Sequence, residues 1–434
     1  MIRILAACLF AIFTTSAQAA VEVQDITTSG GFKAWLVEEH SIPFTALEIR
    51  FRGGTALDRE AKRGEINLMM ALLEEGSGDM DAQAFAKARD DLAASYSFNA
   101  GMDSVSISAK FLTENRDEAV ALLRQAIVEP RFDEDAIERV KGQVYSVIRS
   151  AQTDPSEIAS TTFYGQAFGA HPYGSSADGT LESVKGLTRD DMFTAYKNAM
   201  VKDRVYIGAV GDITAEDLSA LIDDLFGDLP QSGPEMPTTV TPAISGGVTV
   251  VPYETPQSVV LFGHAGIARD DEDYIPAYIA NEIFGGAAES RLMEEVREKR
   301  GLTYGIGAYL ASYDHANLVV GQFSSANSAV AEAVQVVKDE WAKIVRDGIT
   351  AEELDIAKTY LTGAYALRFD GNAPIAKILV GMQMVGLSTD YIAKRNDLVN
   401  AVTLDEINRV AWDLYDPQNL TFVVVGQPEG LEAE

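Results

Sequence analysis

Two side chains with directed hydrogen-bond donors stand seven residues apart in the run Ser290-Arg-Leu-Met-Glu-Glu-Val-Arg297-Glu-Lys-Arg-Gly-Leu-Thr-Tyr304. The Arg297 guanidinium is planar and only donates, and the Tyr304 phenol adds a second donor. Leu292 and Val296 have helical spacing, and Gly301 is a helix stop. Leu302, Tyr304 and Ile306 then alternate as the start of a strand. A helix carrying Arg297 and a strand carrying Tyr304 would aim both donors across one turn at a single point. Each residue also has a purely structural use. Arg297 has Glu294 as an ion-pair partner three residues earlier on the same helix face, and Tyr304 can serve as a core aromatic with its hydroxyl at the rim. Arg291, Lys299 and Arg300 read as a solvated face.

Other catalytic chemistries find little support. His40, His171, His264 and His315 lie far apart, none with a second histidine at helical spacing, so no two can bind one zinc ion from a single helix face. Each reads as a surface or loop residue, with His171 before Pro172 as part of a turn. The single cysteine, Cys8, lies in the N-terminal apolar run, which excludes cysteine-based zinc sites, iron-sulfur clusters and thiol catalysis from the remainder. No G-x-S-x-G nucleophile elbow occurs.

The positioning elements fall into two similar halves. Thr188 opens a helix followed by a strand ending at Gly211; Thr403 opens a helix followed by a strand ending at Gly426. The offset is the same for both landmarks, 403 − 188 = 215 and 426 − 211 = 215. Each threonine is a predicted N-cap with an acid in the first turn. A second match pairs the helix entrances after Phe132 and Ile349. Strand candidates Thr45–Arg52, Ser104–Phe111, Ser258–Gly263 and Ala316–Gln322 alternate with amphipathic helices. The expected fold class is α+β: two duplicated domains, each a mostly antiparallel sheet packed on helices. A Pro/Gly/Thr-rich stretch at 230–244 reads as the linker, with domains at 20–229 and 245–434.

Residues 1–19 read as a secretory signal peptide: basic Arg3, an apolar run from Ile4 to Phe13, and a small-x-small cleavage site at Ala17-Gln-Ala19. A periplasmic destination follows. Without Arg3, 34 basic residues face 65 acidic ones, a net 34 − 65 = −31. That charge argues against nucleic acid or an anionic membrane as partner. It favours solubility and, beyond that, basic peptides or a basic partner surface.

The Arg297/Tyr304 run, the Ala170-His-Pro-Tyr-Gly174 loop and the paired Val-Gly strand ends closely resemble the pitrilysin-type zinc peptidases, and the likeness covers essentially the whole chain beyond the leader. In that family the arginine-tyrosine pair grips the substrate backbone beside the zinc. The resemblance implies that Tyr304 donates to the scissile carbonyl or oxyanion and that Arg297 binds a neighbouring carbonyl. Active members carry a helical H-x-x-E-H in the first domain and a further glutamate ligand roughly 76 residues on. Aligned on Gly64, those positions hold Asn67, Met70 and Ala71, which read as ordinary helix residues, and the distant position falls at Val147. The expectation is a chain with no zinc or other cofactor of its own. It would be a partner subunit, bringing Arg297 and Tyr304 to a zinc held by a homologous chain in a heterodimer and holding peptide substrates by edge-strand addition. The alternative is an inactive peptide-binding or scaffold protein of the same fold.

Overall fold

In a computed structural model, which describes residues 22–432, the chain builds two large sheets flanked by helices. Residues 1–19, read above as a leader, and with them Cys8, lie outside the described residues. The first sheet comprises β1 (Gln24–Thr27), β2 (Lys33–Glu38), β3 (Phe44–Arg52), β6 (Ser95–Ala100), β7 (Ser104–Leu112) and β8 (Val205–Gly211), in the order β1-β2-β8-β3-β7-β6. A small hairpin, β4 (Gly76–Ser77) with β5 (Met80–Asp81), stands apart. The second sheet comprises β9 (Gly247–Pro252), β10 (Gln257–Ala265), β11 (Ile306–Ser312), β12 (Asn317–Ala326) and β13 (Thr421–Gly426), in the order β11-β12-β10-β13-β9.

The duplication read from the 215-residue offset is present in the topology. In each half the last strand inserts between the first two main strands, parallel to one and antiparallel to the other: β8 with β2 and β3, β13 with β9 and β10. In each half a hairpin then completes the sheet and ends on an edge strand, β6 or β11. The helices leading into β8 and β13, Arg189–Ala199 and Leu404–Leu414, both start from capping boxes, Thr188 with Asp191 and Thr403 with Glu406. Gly211 and Gly426 close the two inserted strands at positive φ, 140° and 157°. A Cβ at Gly211 would fall 2.2 Å from the carbonyl oxygen of Phe44, and one at Gly426 would fall 2.4 Å from the Ser258 hydroxyl. Both neighbours sit at the start of the adjoining strand, so the glycine requirement is duplicated with the fold.

Strand residues alternate as a half-buried sheet demands. In β7, Val105, Ile107, Ala109 and Phe111 enter the first core, while Ser104, Ser106, Ser108 and Lys110 face the other way. A separate core forms under the second sheet around Phe262, Phe284, Trp341, Tyr415 and Phe422.

Each sheet covers its remaining face with a helix from the other half. Helix Pro155–Phe168 precedes the 230–244 stretch, yet its Ala159, Phe163 and Ala167 pack on Leu261, Val320 and Val423 of the second sheet. Helix Asn372–Met384 lies late in the chain, yet its Ile375, Ala376 and Leu379 pack on Trp35 and Val210 of the first sheet. Gln383 Nε2 donates to the Ile207 carbonyl at 2.8 Å. A Cβ at Gly208 would stand 2.9 Å from the Ala376 carbonyl oxygen, so the bare glycine is what lets this helix lie so close. Residues 230–244 run as irregular chain. The packing nevertheless interlocks the two halves through this exchange.

Candidate functional site

The short helix Glu65–Ala71 occupies the place where the resemblance would put a metal-binding helix. Its entrance is tied down by charge. Buried Glu65 accepts from Arg59 N and Nε at 2.9 and 3.0 Å, and Arg59 also reaches Asp191 at 2.7 Å. Burial pushes the Asp58 carboxyl up to about 6, although Arg63 and the amides of Ile66 and Gly64 favour its charged form. Asn67 Nδ2 donates to Asp178 at 2.8 Å. Met70 is buried in the first core, and Ala71 packs against the same core. Val147 is 52% exposed on helix Glu134–Ala151. These four positions offer one amide already committed, one thioether and two hydrocarbons, which do not fit the nitrogen and carboxylate donors of a catalytic zinc site. Among the described residues no three His, Cys, Asp or Glu side chains come together as a metal site.

The histidines are more varied than the sequence suggested. His171 serves the turn as expected: Nδ1 accepts from Tyr173 N at 3.2 Å. His40 is exposed between Asp212 and Glu38. His264 and His315, read as surface or loop residues, are instead buried. His264 Nδ1 donates to the Ala265 carbonyl at 2.7 Å, and Nε2 accepts from the buried Trp341 indole at 3.0 Å. β10 carries His264 to the covered face of its sheet, which the isolated residue could not reveal.

Arg297 and Tyr304 stand at the opposite extreme, presented outward. Leu292 and Val296 are fully buried and anchor the segment that carries Arg297. That segment, Met293–Glu298, is wound as a π-helix, with Lys299 N bonded to the Glu294 carbonyl five residues back at 2.9 Å. A second π-helix spans Glu282–Gly286. Such wide turns recur at functional sites. The Arg297 side chain is half exposed, and its Nε lies 3.4 Å from Glu298; the expected Glu294 partner is engaged by Lys299 at 3.0 Å. Nor is the whole basic run a solvated face. Arg291 is part-buried in a two-pronged pair with Glu353, at 2.6 and 2.8 Å, while Lys299 and Arg300 are surface residues converging on Glu295.

Tyr304 lies two residues ahead of β11, in a loop rather than on the strand expected from its alternation with Leu302 and Ile306. It is 88% exposed, and its hydroxyl bonds to no described residue. The loop beneath it is fixed on both sides. The buried Thr303 hydroxyl lies 2.8 Å from the Gly305 carbonyl and 2.7 Å from the Ser324 carbonyl, and it accepts from Gly305 N at 3.1 Å. Ser325 Oγ donates to the Leu302 carbonyl at 2.6 Å, and Leu302 N bonds to the Val296 carbonyl at 3.0 Å. Thr303 is thus a positioning residue that the sequence reading missed, because its partner Ser324 becomes a neighbour only when β11 pairs with β12.

Tyr304 borders a cleft of about 730 Å³ that runs along β11. Tyr274, Tyr278 and Glu282 form the facing wall, and Gln322 lies at the strand side. β11 is an edge strand. One of its carbonyls, that of Ala308, is capped by Asn281 Nδ2 at 3.0 Å, while residues 305–310 line the cleft. The arrangement provides a groove of backbone and tyrosine surface, with an exposed phenol on a fixed loop and a half-exposed guanidinium on the segment that leads into it.

Comparison with known proteins agrees with this anatomy. Residues 34–180 match the family model described as Insulinase (Peptidase family M16), and residues 186–361 match the one described as Peptidase M16 inactive domain. The chain belongs to the M16 family, the pitrilysin-type zinc peptidases, and is a homologue of its inactive domain. A Helicobacter pylori protein named Non-peptidase homolog YmxG is 25% identical over 89% of this chain and 90% of its own length. A Bacillus subtilis protein named Uncharacterized zinc protease YmxG is 22% identical over 91% of this chain and 96% of its own. A solved structure from Pseudomonas fluorescens, described as a peptidase M16 inactive domain, superposes with a TM-score of 0.88 at 26% identity and covers 95% of this chain and 100% of that one.

Proposed function

We propose that this chain is the non-metal-binding partner subunit of a two-chain zinc peptidase. It would hold extended peptides in the β11 cleft and bring Arg297 and Tyr304 to a zinc ion carried by a homologous chain. The observation that supports this reading is a contrast in care. The helix at the metal position is filled with core packing and has no donor set, whereas Tyr304 is held in a fixed loop with its hydroxyl facing solvent. A scaffold of the same fold has no need of that fixed, unpartnered phenol. The leader peptide favours export, so the pair would act in the periplasm. No helix among the described residues is long and apolar enough to cross a membrane.

In such a pair a zinc on the other chain would supply the activated water, and the work of this chain is different. A peptide strand laid along β11 gains backbone hydrogen bonds at the edge groups that Asn281 leaves open. Tyr304 Oη donates to the scissile carbonyl, and the donation strengthens as that oxygen becomes an oxyanion. The Arg297 fork fixes a neighbouring carbonyl and with it the register of the bound strand.

Co-purification with a zinc-bearing homologue, ideally one encoded next door, tests the reading. The pair should cleave peptides, and Tyr304→Phe on this chain should lower kcat by about a hundredfold, the loss typical for one oxyanion donor. Unchanged cleavage by the Tyr304→Phe pair would remove the phenol from the chemistry. Stoichiometric zinc and cleavage by the isolated chain would overturn the partner-subunit reading outright. Peptide binding with no cleavage in any pairing would favour the inactive peptide-binding or scaffold alternative.

A further inference from the structure

Tyr274 and Tyr278 form a shared wall. On one side is the Tyr304 cleft, and on the other a second cavity of about 570 Å³. That cavity has an unusual electrostatic character for a chain of net charge −30. Arg269, Arg368, Lys377 and Arg395 line it, and no Asp or Glu does. None of the four makes an ion pair with a carboxylate among the described residues. Arg395 is 5% exposed, which is where an unpaired charge is most costly.

The two inner arginines are held by aromatic faces instead of by counter-ions. The Arg395 guanidinium lies 4.6 Å from the Tyr365 ring centre, and that of Arg269 lies 4.2 Å from Tyr274. Stacking fixes a guanidinium plane while leaving its N–H edge unspent. Arg395 Nη1 donates to the Leu361 carbonyl at 2.7 Å and to Asn396 Oδ1 at 3.2 Å; its Nε and Nη2 bond to no described residue. Burial holds the Tyr278 and Tyr365 phenols above their usual range, so they remain neutral hydroxyl donors. Glu282, a carboxylate that Arg395 acts on, belongs to the neighbouring cleft; burial raises its carboxyl, and Arg395 only partly offsets that. Directed donors, four positive charges and no resident anion make a receptor for a carboxylate.

We propose that this cavity is a carboxylate subsite for the peptide held in the adjoining cleft, accepting either its C-terminal carboxylate or an acidic side chain near that end. The proposal rests on the reading that the Tyr304 cleft holds peptides, because the shared tyrosine wall delivers the anion attached to a chain already bound next door. It also reverses, locally, the preference for basic ligands that the overall charge suggests.

Fluorescence anisotropy with one labelled extended peptide in four forms tests it: free or amidated C-terminus, each with Glu or Gln at the penultimate position. The form carrying both carboxylates should bind about tenfold more tightly than the amidated Gln form, as expected for a charge-assisted pair. The two intermediate forms identify which carboxylate is read. The preference should disappear in Arg368→Gln/Lys377→Gln, both exposed positions whose replacement spares the core, and in Arg269→Gln. Equal binding of all four forms, or a preference unchanged in these variants, overturns the subsite and leaves the peptide cleft standing. Binding by no form removes the peptide reading instead. Thermal unfolding with glutarate against sodium chloride of matched ionic strength then decides the cavity. A rise in Tm in the parent chain that is absent in the variants sustains a carboxylate site, and no rise in the parent overturns it.

Discussion

The loop that carries Tyr304 is held by its largely buried neighbour. Thr303 holds Gly305 and Ser324 together under the loop, so the backbone that presents the phenol is set before any ligand arrives. Thr303→Val keeps the shape and removes the hydroxyl, leaving the Gly305 amide and the Ser324 carbonyl without their partner. Stability should fall by about 1–3 kcal/mol, read as a lower Tm. Peptide cleavage by the two-chain enzyme should fall through kcat, and Thr303→Ser should restore both. A drop in Tm with unaltered kcat would reduce Thr303 to a purely structural role. A second prediction concerns Arg291 and Glu353. Burial alone would raise the Glu353 carboxyl, but Arg291 together with the Thr350 amide and hydroxyl outweighs it and holds the pKa at about 2. A depressed folded-state pKa contributes stability that is fully present above the ordinary value near 4.5 and is lost as pH falls from there towards 2. Arg291→Met should therefore shift the acid-unfolding midpoint to higher pH, as followed by circular dichroism; an unmoved midpoint would show that the pair has no part in acid stability. Arg297 and Tyr304 could be singled out in the sequence because the resemblance that marks them lies within one contiguous run. Thr303 and Arg291 were not, since their partners lie 21 and 62 residues away.

At the scale of elements, the legible features were again those whose physics is local. The threonine N-caps at 188 and 403 form capping boxes, and the four strand candidates fall within β3, β7, β10 and β12 to within a few residues. What stayed hidden was the destination of helices Pro155–Phe168 and Asn372–Met384. An apolar helix face says that it must be buried, not which sheet will bury it. The exchange makes two substitutions informative. Phe163 is fully buried against the second sheet, so Phe163→Ala should cost about 3–5 kcal/mol. Gly208 faces the Ala376 carbonyl, so Gly208→Ala adds a methyl where none fits and should cost about 1–3 kcal/mol. Chemical denaturation reads both. The exchange predicts that a substitution in each half lowers one shared transition; two separated transitions, each sensitive only to its own substitution, would show that the halves unfold independently.

The whole molecule is best understood as two copies of one domain that cannot be cut apart at the stretch between them. The regularity of the 215-residue offset invites a division at 230–244, yet each side of that division lacks the helix that covers its sheet. Residues 22–229 alone would leave Trp35 and Val210 uncovered, and would carry Phe163 on a helix stripped of the second sheet it packs on. Residues 245–432 alone would expose Leu261, Val320 and Val423, and would carry Ile375 and Leu379 on a helix in the same position. Burial of such side chains supplies about 1.5–3 kcal/mol apiece, so losing a whole exchanged helix removes a large share of a stability that rarely exceeds about 15 kcal/mol. Each fragment expressed alone should therefore bind a hydrophobic dye and unfold without a sharp transition. Co-expressed, the two should assemble into a complex with the cooperative melt of the intact chain. A fragment that melts sharply by itself would show that its own helices can close its sheet, and would make the exchange a detail of assembly and not a condition of folding. The interlock also bears on function, because the cationic cavity is walled by the exchanged helix through Lys377 and by Tyr274 and Tyr278 of the second domain. If the fragments reassemble, the carboxylate preference should return with the cooperative melt and be missing from either fragment alone.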